Sequence, residues 1–235
     1  MVYRRYDKLI TILVPCRMRH ERTLNLLRSI ERTATDTSRI RVITITDFDS
    51  AGDAENIFSL VNSQELSYEI FNLTRTRDIQ LNRNYYNLAN LMGESYFSWI
   101  LGNDISITSE GWDEHLAQAT AHALPLIEQD AKNYYVFIND DTHFTGSGAA
   151  GGFEKNGSCF PIISNNYSEK IRGPMPEHKN SWGGDIELFL ECQRHPDLWE
   201  FIHLEEQIAI EHYCIHNGRE EKADAVNKHV RMHAN

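Results

Sequence analysis

The 235 residues are 41% hydrophobic and 24% charged, a composition that fits one sizeable folded core and excludes a disordered or fibrous chain. A formal charge of -11 argues against a broad basic face for nucleic acid, and no apolar run approaches the ~20 residues that a membrane helix needs. The four cysteines, Cys16, Cys159, Cys192 and Cys214, are far apart with no C-x-x-C pair, so neither a zinc knuckle nor a disulfide framework is expected and a reducing cytoplasm fits.

Arg4, Arg5 and Lys8 precede the apolar run 9–14, but that run is too short for a signal peptide and stops at Pro15, so it reads as a first strand covered on both faces. Leu24, Leu27 and Ile30, with Leu26 beside them, then recur at helical spacing, while Glu21, Arg22, Arg28, Glu31 and Arg32 fill the opposite face. Residues 41–46 make a second strand, which completes a βαβ unit. A helix over 53–62, a strand over 68–73 and a polar helix through 82–92 lead to the aromatic run 96–105. That run reads as a buried strand ending in Leu101-Gly102-Asn103-Asp104. Strands alternating with helices predict an α/β fold with an open, mostly parallel sheet, whose ligands bind at the carboxyl ends of strands.

Further on, the pattern predicts one helix from about 111 to 127 and a strand over 134–138 that ends in Asn139-Asp140-Asp141. A glycine-rich mobile loop over 145–152 and an irregular stretch over 156–176 should follow. A helix over 184–194, a strand near 207–212 and an amphipathic tail over 220–233 complete the chain.

Three places carry candidate chemistry. Asp47-Phe48-Asp49 sets two carboxylates just beyond a strand, where they either accept hydrogen bonds from a ribose and base or simply cap the next helix. Asp104 is a candidate ligand for Mg2+ or Mn2+, with His212 and His216 as late imidazoles near a strand end; the alternative is that these histidines bond only locally. Around Asn180-Ser181-Trp182-Gly183-Gly184-Asp185-Ile186-Glu187, Trp182 offers a stacking face and Asp185 or Glu187 a general base, against a plain glycine-containing helix start with an acid at its positive end.

In order along the chain, these pieces resemble the inverting, family 2-type glycosyltransferases of the GT-A fold. Pro15-Cys16-Arg17-Met18-Arg19 is similar to their P-x-Y-N-R opening, Asp47-Phe48-Asp49-Ser50 to D-D-G-S, and Arg83-Asn84 to R-N before the fourth strand. Leu101-Gly102-Asn103-Asp104 stands where that family has D-x-D, Gly184-Asp185 where it has E-D, and His212 or His216 where many such enzymes have a metal-binding histidine. The resemblance implies a Rossmann-like sheet with helices on both faces. It divides the chain into a nucleotide-sugar half over 1–105, an acceptor half over 106–219 and a helical tail over 220–235.

Residue by residue, it implies that Pro15, Cys16, Arg17, Asp47, Asp49, Arg83, Asn103 and Trp182 meet a nucleotide-sugar donor, with a UDP-sugar as the first guess. Asp104, with His212 or His216, would hold Mn2+ or Mg2+, and Asp185 would be the base. Two departures stand out: glycine replaces the first acid of D-x-D at Gly102 and the glutamate of E-D at Gly184. They keep two other readings open, a sugar-1-phosphate nucleotidyltransferase and a sugar-nucleotide-binding protein without catalysis. The acceptor, whether glycan, lipid, protein or modified DNA base, and the oligomeric state are not written in the sequence.

Overall fold

The computed structural model describes residues 6–16, 20–46, 51–63, 65–74, 95–140, 158–166 and 184–213. Its strands are β1 (Lys8–Cys16), β2 (Ile40–Thr46), β3 (Glu69–Thr74), β4 (Ser95–Ile100), β5 (Ile105–Ile107), β6 (Asn133–Phe137), β7 (Ile162–Ser164), β8 (Trp199–His203) and β9 (Ile210–His212). Its helices are α1 (His20–Thr33), α2 (Ala51–Asn62), α3 (Trp112–Thr120), α4 (Leu124–Glu128) and α5 (Gly184–Arg194).

Seven strands form one sheet in the order β3-β2-β1-β4-β7-β6-β8, and β5 pairs with β9 in a second, two-stranded sheet. The neighbours β1/β2, β2/β3, β1/β4 and β6/β8 are parallel, and β7 is inserted antiparallel between β4 and β6. Because side chains alternate across a strand, each central strand feeds two cores. Ile10, Ile12 and Val14 of β1, Phe97 and Trp99 of β4, and Tyr134 and Val136 of β6 share one core with Leu26, Leu27 and Ile30 of α1 and Ile57 and Leu60 of α2. On the opposite face Leu13, Ile100, Tyr135 and Phe137 pack with Leu188, Phe189 and Cys192 of α5. The fold is therefore α/β, with helices on both faces of a mostly parallel sheet, as the strand-helix alternation predicts.

Two stretches depart from expectation. The single helix expected over 111–127 is two helices, α3 and α4, because Pro125 has no N–H to continue the ladder and its ring crowds the carbonyl four residues back, whereas the first turn of a new helix tolerates it. A turn at 121–123, with Ala123 N donating to the Thr120 carbonyl at 2.8 Å, joins them. The stretch 156–176, expected to be irregular, contains β7. Strand β8 is a further element that the periodicity did not flag. The expected helix over 82–92, the glycine-rich loop over 145–152 and the tail over 220–233 lie outside the described residues. Among the described residues, no helix is long and apolar enough to cross a membrane.

Candidate functional site

The crossover from β1 through α1 runs to β2 on one side, whereas β4 returns to the other side of β1, which makes the β1/β4 junction a topological switch point. At such a junction the connections leave in opposite directions and open a crevice beyond the carboxyl ends of the strands. The ends of β1 and β2 are level, and β4 stops three residues before the end of β1 (16 − 13). Cys16 at the end of β1 pairs with Thr46 at the end of β2, and Leu101 N, just past β4, donates to the Leu13 carbonyl at 3.0 Å.

The turn after β4 carries Asn103 and Asp104 into this crevice. Asn103 is buried, and its side-chain amide donates to Thr23 Oγ1 of α1 at 3.2 Å, which ties the turn to that helix. The chain then enters β5, and antiparallel pairing sets Ile105 opposite His212 and Ile107 opposite Ile210 of β9. Ser29 Oγ of α1 accepts from Ile107 N at 3.0 Å and fixes the small sheet on the same helix. One more ladder bond, Tyr213 N to the Asp104 carbonyl at 2.9 Å, closes the end of the pair, and Arg22 Nη1 of α1 donates to the Tyr213 carbonyl at 3.2 Å.

This register brings the Asp104 carboxylate and the His212 imidazole together, with Oδ1 and Nε2 3.7 Å apart. Their side chains are 13% and 14% exposed, so the pair is largely shielded from bulk solvent. Phe160 stands edge-on to the His212 ring, with centroids 4.9 Å apart and an interplanar angle of 85°. The Phe160 backbone is held in turn by Trp99 Nε1, which donates to its carbonyl at 3.1 Å.

An oxygen and a nitrogen donor suit Mn2+ or Mg2+, and two donors each about 2.1 Å from one ion lie at most about 4.2 Å apart. The 3.7 Å separation lies within that span. Among the described residues, no three His, Cys, Asp or Glu side chains cluster so as to hold a metal ion.

Of the residues singled out in the sequence, Asp104 and His212 are thus brought together. Pro15 is half-buried near the end of β1, and the Cys16 side chain is buried in the core that α1 covers. Asp185 lies in the first turn of α5, on the face of the sheet opposite α1 and α2. Arg17, Asp47, Asp49, Arg83, Trp182 and His216 lie outside the described residues. Arg22, Phe160 and Tyr213, which frame the pair, went unnoticed in the sequence. Arg22 looks like one more charge on an amphipathic helix, and the roles of Phe160 and Tyr213 depend on strand pairing across distant parts of the chain.

No family model and no curated protein matches the sequence. Solved structures do match the fold. A mannosyltransferase, PcManGT from Pyrobaculum calidifontis in complex with GDP-Man and Mn2+, aligns with a TM-score of 0.63 at 10% identity, over 89% of this chain and 58% of that one. S. aureus TarS 1-349 in complex with UDP aligns at 0.59 and 12% identity, over 86% and 59%, and its complex with UDP-GlcNAc at 0.55 and 11%, over 94% and 64%. The chain spans about three-fifths of the length of these proteins. At such identities the likeness is one of fold, and that fold is GT-A-like.

Proposed function

We propose that the chain transfers a sugar from a nucleoside-diphosphate donor to an acceptor hydroxyl, using a divalent metal and inverting the anomeric centre. The observation that carries this reading is the Asp104–His212 pair at the carboxyl end of β4, 3.7 Å apart and beside the switch point where a nucleotide binds in such sheets. Solved complexes of the same fold with UDP, UDP-GlcNAc, and GDP-Man with Mn2+ support it.

On this reading the half over 1–105 takes the donor. Asp47 and Asp49 accept hydrogen bonds from the nucleoside, with Pro15, the Cys16 backbone and Arg17 beside them, while Asn103 holds the turn and Trp182 stacks on a ring. Asp104 and His212, with His216 as a further candidate, would hold Mn2+ or Mg2+, which would supply positive charge toward the departing diphosphate. Arg83 adds a second positive charge. Asp185 takes the proton of the acceptor hydroxyl, whose oxygen attacks the anomeric carbon from the face opposite the diphosphate, so that the configuration inverts.

A panel of UDP- and GDP-sugars tests the reading by following release of the nucleoside diphosphate and thermal stabilisation. The expectation is release in Mn2+ that EDTA abolishes, with at least one donor raising the Tm. Equal release in EDTA would remove the metal from the mechanism. Pyrophosphate release from a nucleoside triphosphate and a sugar phosphate would favour a nucleotidyltransferase, and donor binding without turnover a non-catalytic binding protein.

A further inference from the structure

We infer that Gly102 is the positioning residue of the Asp104 carboxylate: the space left by its missing side chain is what lets Oδ1 lie beside His212. This rests on reading Asp104 and His212 as metal ligands. A Cβ added to Gly102 would sit 2.6 Å from Asp104 Oδ1 and 3.8 Å from its Cγ, whereas Phe160 Cε1 would be at an ordinary 3.6 Å. The collision is thus with the carboxylate oxygen that faces His212 Nε2.

Backbone conformation does not explain the glycine. Among the described glycines only Gly111 has a left-handed φ, so the backbone at position 102 would accept an alanine. The surrounding turn is held by main-chain bonds from Leu101 N to the Leu13 carbonyl and from Tyr213 N to the Asp104 carbonyl, and by the Asn103 side chain on Thr23 Oγ1. What yields to an added Cβ is the far end of the Asp104 side chain, by rotation about its own bonds. Oδ1 then leaves His212, because the Phe160 ring backs both Gly102 and the imidazole and keeps its place.

The glycine at the first position of the D-x-D-like segment is therefore more than a missing acid. Any side chain there conflicts with the Asp104 conformer that makes the pair. In this protein one acid and one glycine act together.

Gly102→Ala tests this, with metal-free crystal structures and Mn2+ affinity, read by electron paramagnetic resonance of the unbound ion, compared with wild type. The expected variant is folded, with the separation between His212 Nε2 and the nearer Asp104 carboxylate oxygen increased beyond about 4.2 Å, the most that two donors on one ion allow. Its Mn2+ affinity should fall about 10- to 100-fold, as when a group that orients a metal ligand is lost. A separation that stays near the present 3.7 Å would overturn the inference, and so would unchanged affinity or a variant that does not fold. If wild type takes up no Mn2+, the metal reading fails, while the separation still decides the role of Gly102.

Discussion

Asp104 and His212 lie 108 positions apart in sequence (212 − 104), yet 3.7 Å separates their polar atoms, because a three-residue strand at each site sets them in register. Asp104 was visible beforehand as an acid where an aromatic strand stops. Of eleven imidazoles the sequence singles out His212 and His216; the β5/β9 pairing puts His212 beside Asp104, and His216 lies outside the described residues. Asp185 was chosen from its order in the chain, and it does open α5. At the first turn of a helix a carboxylate gains only about 0.3–1 kcal/mol from the helix dipole, so Asp185→Asn should leave the fold intact. If Asp185 is the base, its loss removes about 10^2- to 10^4-fold of the transfer rate while donor binding is retained. Rate and stability measured on one preparation separate the two roles: wild-type turnover would dismiss Asp185 as base, and a collapse in Tm would make it structural.

At the scale of elements, the parts that read correctly bury a repeating apolar face. The run 9–14 and the Leu26, Leu27 and Ile30 stripe gave β1 and α1, since both elements are held by the cores they fill. Strands β5, β7 and β9 have only three residues each, too few to show a period, and sheet partners rather than their own sequence stabilise them. Loops between elements hold positions in the same non-local way. Asp113 at the start of α3 is fully buried, and its two carboxylate oxygens accept from Thr35 N at 2.7 Å and Asp36 N at 2.9 Å, which pins the connection from α1 to β2. Hydrogen bonds to a buried charge contribute about 1.5–3 kcal/mol, so Asp113→Ala should lower the unfolding free energy by roughly 2–3 kcal/mol in urea. An unchanged midpoint and slope would mean that the connection is held by something else.

At the scale of the molecule, the GT-A-like sheet was legible because strand-helix alternation is written throughout the chain, and its order puts the ends of β1, β2 and β4 side by side. The proposed donor contacts are legible only as motifs in sequence, and Asp47, Asp49, Arg83 and Trp182 fall outside the described residues. In the proposed function one acid, Asp104, with His212, would couple nucleotide binding to a divalent ion. Calorimetric titration of UDP into the wild-type protein, in Mn2+ and then in EDTA, with Asp104→Asn alongside, tests it most directly. The expected result is binding in Mn2+ that EDTA or Asp104→Asn weakens at least about tenfold, or ~1.4 kcal/mol. Equal affinity in all three conditions would contradict it.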